Sequence, residues 1–275
     1  MHRFSRTPVT EVHLVLAPLA KVLMQVQFSR TPQLVTDEAE AVIAERLARY
    51  PVRRRLAVAT GFTFAVNGQQ VALPPPLPSS VLTFSDASGK WVVSVADTSV
   101  SIETTDYATR DDYCARALEL FDAVAAVSLP PVVDRVGLRY IDRLSGATLD
   151  RLDELVIPEL RGLHGAVEQP LVLNHSVTDS VITIGDNEHL QVKSGFLPPG
   201  GAFDPSLPPL PEPSWILDMD VFTTVGGFAF DPEALTERLR DYAETAYSFF
   251  RFATTEAFQE LHQQPSAAAM ASERP

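Results

Sequence analysis

The sequence contains a single cysteine, Cys114, in 275 residues. One cysteine cannot form an intramolecular disulfide or a cysteine-based metal cluster within one chain, and this usage is typical of a reducing cytoplasm. Basic residues are also few, because 22 Lys and Arg stand against 35 Asp and Glu, a formal net charge of −13. General binding to nucleic acid or to anionic membranes needs a positive surface. We therefore expect a cytoplasmic protein whose partners are neither nucleic acids nor membranes.

Long hydrophobic runs and catalytic motifs are missing as well. The most apolar N-terminal run, residues 12–26, is interrupted by Pro18 and Lys21, so it is too broken for a membrane span of about 20 residues and indicates a strand. The chain has no G-x-S-x-G, Walker or G-x-G-x-x-G motif, and its six histidines have no H-E-x-x-H spacing. We predict no catalytic residue, no metal and no cofactor, and favour a non-enzymatic protein.

One group of polar residues could still converge in the second half of the chain. It comprises His175, Asp179, Asp186 and His189, which lie on two adjacent predicted strands and their turn. A metal or acid/base site is one interpretation, and a surface hairpin is the favoured one. Cys114 lies in a helical pattern, where a buried small hydrophobe is favoured over a nucleophile.

An internal repeat is the main positive feature of the sequence. Residues 80–95, SVLTFSDASGKWVVSV, match residues 180–195, SVITIGDNEHLQVKSG, with a shift of 100 and with their apolar positions in phase. Each segment has an alternating strand, a polar turn and a second alternating strand, which predicts a hairpin. The earlier segments 22–28 and 136–142 also share a period-2 apolar face.

The elements around these segments follow the same order in both halves. Predicted helices, each with capping residues or apolar residues at helical spacing, lie at 36–50, 110–127, 149–163 and 231–252, and Pro158 predicts that the third is kinked or divided into two short pieces. Further strands are predicted at 61–66 and 170–177 before the hairpins, and at 98–105 and 214–222 after them.

These elements predict an α+β fold made of two duplicated units, each with the order strand, helix, four strands, helix. We expect a mostly antiparallel sheet with helices on one face, a topology analogous to the saddle of the TATA-binding protein. The predicted units are residues 11–128 and 133–262, and residues 263–275 are predicted to form a disordered tail. Two proline-rich stretches, 72–80 and 197–214, interrupt this order, and the longer one should form an extended surface loop. The longer has P-x-x-P spacing, for which an ordinary loop is favoured over a docking motif.

Three arginines on one predicted strand are the principal site candidates. In RVGLRYIDRL (135–144), strand alternation puts Arg135, Arg139 and Arg143 on the face opposite the apolar residues. The favoured interpretation is structural, in which they pair with Asp218 or Asp220 of the ILDMD segment. The alternative is a cationic strip that binds phosphate or a partner's carboxylates. All five residues are therefore candidate binding residues.

Two other segments of the sequence support less specific predictions. The arginines at 46, 49, 53, 54 and 55 should form the solvated end of the first helix and the following loop. The closing helix carries aromatic residues on several sides, so that its second face is either buried or forms a subunit interface of a homo-oligomer.

Three motifs together carry a resemblance to a known family. VLMQVQF, GLRYIDRL and WILDMDVF resemble the corresponding segments of uncharacterised, sporadically distributed bacterial proteins with a central L-R-Y-I-N signature, over most of residues 12–262. Asp142 stands where that family usually has asparagine. The resemblance implies no established activity, and sporadic distribution suggests an accessory, defence-linked or toxin–antitoxin-like role.

Two functions follow as hypotheses. The first is a non-enzymatic interaction protein whose open sheet face engages a protein partner, with the acidic chain complementing a basic one. The second is a small-ligand or nucleotide-binding enzyme that uses the arginine strip as an anion clamp.

Overall fold

The structure is a computed structural model that describes residues 4–7, 9–10, 12, 14, 17–58, 63–66, 69–72, 79–167, 171–201 and 207–263. Nine strands form one antiparallel sheet in the order β2-β5-β6-β7-β1-β8-β11-β10-β9, and β3 and β4 form a separate two-stranded sheet. The strands are β1 Leu19–Phe28, β2 Val52–Val58, β3 Thr63–Val66, β4 Gln69–Ala72, β5 Ser79–Ser85, β6 Trp91–Val95, β7 Ser99–Thr104, β8 Val133–Ser145, β9 Ser176–Gly185, β10 Glu188–Leu197 and β11 Ser214–Thr223.

Five α-helices accompany the sheets in the described part of the chain. They are α1 Asp37–Arg46, α2 Arg110–Val127, α3 Leu152–Leu155, α4 Pro232–Ala253 and α5 Glu256–Gln263. The predicted combination of helices with a mostly antiparallel sheet is therefore confirmed. None of the helices among the described residues has the length and apolar composition needed to cross a membrane.

The chain forms two compact units. Unit A comprises Leu23–Val136 and Val225–Arg238, and unit B comprises Met1–Val22, Gly137–Thr224 and Leu239–Pro275. The segment after β11 returns to unit A, where the Val133 amide donates to the Phe228 carbonyl at 2.9 Å and the Gly227 amide donates to the Val133 carbonyl at 2.8 Å. These bonds hold the segment after β11 against the first residue of β8, so that residues 225–238 belong to unit A and the units are not simple halves of the chain.

Local sequence signals account for most of unit A. Helix α1 begins where predicted, with the Thr36 hydroxyl accepting a hydrogen bond from the Ala39 amide at 3.2 Å. The hairpin of β5 and β6 closes on the predicted turn, in which an Asp86 carboxylate oxygen accepts from the Trp91 amide at 2.9 Å. Helix α2 packs on β7, and the buried Tyr113 hydroxyl donates to the Ile102 carbonyl at 2.8 Å.

The arginine cluster of unit A is placed differently from the prediction. Arg53, Arg54 and Arg55 belong to strand β2 rather than to a loop after the helix, and β2 pairs antiparallel with β5. The predicted strand at 61–66 is also only partly correct, since β3 pairs with β4 outside the large sheet. In both segments the pairing with a neighbouring strand determined the structure, because the tendency to form a strand depends on which sheet edge is available.

In unit B the predicted helix at 149–163 is divided into short pieces, as Pro158 indicated. Helix α3 is followed by a 3-10 turn, Pro158–Leu160, so the segment forms short pieces. The hairpin of β9 and β10 turns through Asp186 and Asn187, and Asn187 has the positive φ of 60° that a tight hairpin requires. The predicted strand at 170–177 is wrong for its larger part, because residues 171–175 have no regular structure and only the last two residues enter β9.

Helix α4 confirms the predicted closing helix, and its aromatic side chains are covered on a second side by the N-terminal segment of the chain. Phe4 lies 5.1 Å from Phe249, measured between ring centroids, and the Val12 amide donates to the Tyr247 hydroxyl at 2.7 Å. The Ser248 hydroxyl also donates to the Thr7 carbonyl at 3.2 Å. These contacts supply burial within unit B, while the homo-oligomer through this helix stays a prediction.

The longer proline-rich stretch is anchored at its C-terminal part. Leu207 is buried and packs in a small apolar cluster with Ile141, Leu197 and Ile216 on the sheet of unit B. The segment therefore covers one end of a sheet face that the sequence led us to expect as open. Residues 202–206, most of the stretch 72–80 and the predicted tail after residue 263 lie outside the described residues.

Candidate functional site: a polar patch on the sheet of unit B

Side chains from three adjacent strands form a polar patch on the sheet of unit B. The register of β8, β11 and β10 pairs Arg139 with Asp220 and Asp220 with Gln191, and it pairs Asp218 with Lys193. Leu190 and Val192 point to the opposite, buried face by strand alternation. The patch, defined as Arg139, Gln191, Lys193, Asp218 and Asp220, lines a cavity of about 70 Å³.

The centre of the patch is an ion pair between Arg139 and Asp218. The Arg139 Nε donates to Asp218 Oδ1 at 2.7 Å, and the Nη2 donates to Oδ2 at 2.6 Å. The side chains are only 16% and 3% exposed. This two-pronged geometry is the strong form of an arginine–carboxylate contact, and the burial makes the loss of either partner costly. The structural pairing that the sequence favoured is present for this arginine.

Arg143 lies on the same face of β8 and binds the proline-rich segment. Its Nε donates to the Ser214 hydroxyl at 3.0 Å, and its Nη1 donates to the Pro208 carbonyl at 2.6 Å. Partial burial lowers the pKa of Arg143 from its ordinary value, although a guanidinium stays charged in proteins. Arg143 therefore holds a loop, and it does not line the patch.

The remaining candidates from the sequence separate into two groups. Asp220 lines the patch with Arg139 and Asp218, whereas Arg135 belongs to unit A. The structure thus brings together three of the five predicted residues, and the arginines of β8 do not act as one strip.

Gln191 and Lys193 were not predicted, and both connect the patch to β9. The Gln191 side-chain amide donates to the two Asp179 carboxylate oxygens at 2.8 and 3.0 Å. Lys193 Nζ lies 3.9 Å from an Asp179 oxygen. The alternation around Leu190 and Val192 shows that Gln191 and Lys193 share a face, but the register that places them beside Asp218 and Asp220 is visible only in the fold.

Asp142 occupies the other face of β8 and is 5% exposed. It lies opposite the buried Leu217 of β11. Burial away from water raises the pKa of Asp142 from 3.8 to about 7. The sequence marked this residue only as a departure from the family signature, and the structure shows that it is an unusual buried acid.

The histidine and aspartate residues of the β9–β10 hairpin do not gather into a site. His189 contacts Thr183 and Thr224 at 3.5 and 3.2 Å and lies 5.7 Å from the Phe222 ring, as expected for a hairpin side chain. Throughout the described ranges, no group of three or more His, Cys, Asp or Glu residues could hold a metal ion. Cys114 is buried in α2, as predicted.

The chemistry of the patch is that of a mixed polar surface. It presents cationic, anionic and amide groups side by side, with the central arginine already held by a carboxylate. Its volume lies well below the roughly 300–1,000 Å³ of pockets that enclose small ligands.

Comparisons with protein-family models, with curated proteins and with solved structures gave no match to this chain.

Proposed function

We propose that the chain is a cytoplasmic, non-enzymatic interaction protein that engages a protein partner through the polar patch of unit B. The observation that carries this proposal is the juxtaposition of opposite charges and an amide on three neighbouring strands, outside the area covered by Leu207. Donors and acceptors fixed in such a grid suit the polar rim of a protein interface.

The overall charge indicates the chemistry of the partner. A chain with a formal net charge of −13 attracts basic proteins and repels acidic ones, which accelerates encounter with the former. The proposed partner is therefore a basic protein, and the family resemblance adds the context of a toxin–antitoxin or defence system as part of the proposal.

The alternative function, an enzyme that clamps an anion with its arginines, has less support. Arg139 already binds a buried carboxylate, and Arg143 already binds a loop carbonyl. An anionic ligand would have to displace those contacts, and breaking a buried ion pair costs about 3–5 kcal/mol.

A partner-capture experiment with two matched aspartate variants tests the proposal. Asp220→Lys reverses a negative charge in the patch, and Asp106→Lys makes the same change outside it, where Asp106 pairs with Lys90 at 3.0 Å. The tagged full chain and both variants are used to capture proteins from the native host. We expect a stoichiometric basic protein whose affinity falls at least tenfold with Asp220→Lys and is retained with Asp106→Lys.

The other results of this experiment point elsewhere. A partner retained equally by both variants would show that the patch is not its binding site. A bound metabolite in place of a protein would favour the anion-clamp alternative. A thermal-shift series with nucleotides and phosphates at low salt would then identify the ligand class.

We also propose that units A and B descend from a duplication. Starting from the first strand, the order in unit A is β1-β7-β6-β5-β2, and that in unit B is β8-β11-β10-β9. The hairpin strands β5 and β6 correspond to β9 and β10 with the 100-residue shift found in the sequence, and β1 and β7 correspond to β8 and β11 by their places in the strand order. The same order underlies the analogy with the TATA-binding protein. Superposition of the four common strands in an experimental structure tests this proposal, since a duplication requires one shared connectivity and direction.

A further inference from the structure

The outermost strand of unit B, β9, has one edge without a neighbouring strand among the described residues. It is the last strand of the sheet and pairs only with β10, in a regular register from Ser176 to Thr183. Unpaired backbone N–H and C=O groups on such an edge can pair with another chain. At the hairpin end, the Arg6 guanidinium donates to the Ile184 carbonyl at 2.9 Å, so that the accessible run ends there.

β9 lacks the features that usually protect a sheet edge. It contains no proline and no lysine, and six of its ten residues are β-branched. Its one charge, Asp179, is partly neutralised by Lys193 from β10. Val181 is 60% exposed in the middle of the strand. Natural proteins seldom leave a strand of this length and composition without an occupant.

Unit A shows what fills the equivalent position. There β5, the counterpart of β9 under the 100-residue shift, is covered by the seven-residue strand β2, VRRRLAV, which pairs antiparallel with it. Arg53, Arg54 and Arg55 make this covering strand basic, and all three are exposed. The occupant of the equivalent edge in unit A is thus an extended, arginine-rich segment.

Among the described residues, the segment of unit B that precedes β9 supplies no such strand. Residues 47–78 separate α1 from β5 in unit A, whereas residues 161–175, fewer than half as many, separate the last 3-10 turn from β9 in unit B. The start of that shorter segment is tied back, since the Arg161 Nε donates to the Val156 carbonyl at 2.7 Å. Leu171 and Val172 then run into β9 as exposed, irregular chain.

We infer that the edge of β9 receives an extended basic segment of the partner protein, which pairs antiparallel and completes unit B as β2 completes unit A. This inference rests on the proposed function and names the partner's binding mode. In unit A, Leu56 of β2 lies opposite Val81 and the last residue, Val58, lies opposite Ser79. With the 100-residue shift, the equivalent residues of the partner's strand lie opposite Val181 and Asp179. A lysine or arginine at that last position would form a favourable cross-strand pair with Asp179. A partner of net positive charge also suits the −13 of this chain better than a second copy does.

The test uses a fluorescent synthetic peptide with the sequence of β2 and the change Val58→Lys, added to the full chain and followed by fluorescence anisotropy. Two further peptides carry N-methyl groups on alternate backbone nitrogens, one series on the odd residues and the other on the even residues. Side chains and charges remain the same in all three peptides. In an added antiparallel strand only alternate residues direct their N–H groups to the neighbour. We expect one methylated series to lose at least tenfold in affinity and the other to stay within about threefold.

A matched pair of protein variants locates the binding site on β9. Asp179→Asn should weaken binding of the peptide about three- to fivefold, the effect of one cross-strand charge pair. Asp186→Asn removes the same charge from the hairpin turn and should leave binding unchanged. If the peptide instead displaced β2 from β5 in unit A, Asp179→Asn would not change its affinity.

Three results would overturn the inference. The first is an unmodified peptide that does not bind at millimolar concentration, and the second is equal binding of both methylated series. The third is a dimer in sedimentation that Ser180→Pro abolishes, because a second copy would then occupy the edge. If Asp220→Lys loses the captured partner but the peptide does not bind, the patch is supported and the edge is rejected. If the peptide binds but Asp220→Lys retains the partner, the patch alone is rejected.

Discussion

Replacing Asp142 with asparagine should remove a strong pH dependence from the stability of unit B. In the unfolded chain the carboxyl group titrates near 3.8, and burial raises its pKa in the fold to about 7. Between those values the folded protein holds a proton that the unfolded chain has released. The fold is therefore most stable, as far as this group is concerned, below about pH 4, and it loses stability as the pH rises toward 7.

The size of the effect follows from the two pKa values. Each pH unit between them costs about 1.4 kcal/mol, so that the ionised group costs roughly 4 kcal/mol above pH 7. Asparagine has nearly the same shape and no charge at any pH. We expect Asp142→Asn to increase the free energy of unfolding, and we expect this gain to grow by about 2 kcal/mol between pH 5.5 and pH 7.5.

Urea unfolding at several pH values measures this gain. Trp215 is buried and its indole N–H donates to the Leu160 carbonyl at 3.2 Å, so its fluorescence reports on unit B. A Trp91→Phe background removes the tryptophan of unit A from the signal. Asp150→Asn is the matched control, because it removes the same charge from an exposed position of unit B. A gain that is constant with pH, or a variant less stable than the parent at pH 7.5, would refute the reasoning.

Three further outcomes follow from the contacts described above. Arg139→Met should cost about 3–5 kcal/mol in urea unfolding because it leaves the Asp218 carboxylate buried without its partner, whereas the double change Arg139→Met with Asp218→Leu should cost much less. Arg143→Gln should speed proteolysis between residues 198 and 213, because it loses the Pro208 carbonyl contact, and equal cleavage rates would contradict this role. Thr36→Ala should lower the free energy of unfolding of unit A by about 1 kcal/mol through the loss of a helix cap, and Thr36→Ser, which keeps the hydroxyl, should restore it.

Elements whose signals are local were predictable from the sequence. Helix α1 has a capping threonine, Thr36, and acidic residues in its first turn, and α4 begins after Asp231, whose carboxylate accepts from the Ala234 amide at 2.9 Å. The two hairpins have a polar turn between alternating strands. In each case the residues that determine the structure lie within a few positions of one another, so no knowledge of the fold is required.

Strand β2 and the segment 170–177 show where local sequence patterns fail to predict secondary structure. The arginines of VRRRLAV suggested a solvated loop, yet the backbone of β2 pairs along β5. Residues 171–175 include Leu171 and Val172 in a pattern typical of a strand, yet they remain irregular. The pattern of a strand determines which side of it is buried, but only a neighbouring edge at the right distance makes it pair.

The polar patch was predictable in part for the same reason. Arg139 and Asp218 alternate with apolar residues on their own strands, so that a pairing between them could be proposed before the fold was known. The positions of Gln191 and Lys193 depend on the register of β10 against β11, and the connection between those strands spans residues 198–213. A long connection does not determine register, whereas a two-residue turn does.

The contacts of the arginines move the candidate interaction surface toward the outer strand of unit B. A partner that bound Arg139 would first have to break its ion pair with Asp218, whose side chain is 3% exposed. A contact on the surface does not compensate for the cost of breaking a buried ion pair. Lys193 and Asp179 are more exposed and lie 3.9 Å apart, so their interaction is worth about 1 kcal/mol at most and a partner can replace it. A strand added to β9 would lie directly beside Asp179, and a basic residue at its last position would lie opposite that carboxylate, which also binds Gln191. The patch and the edge of β9 therefore form one continuous surface, in which Asp179 links the two and Arg139 supports the patch from within.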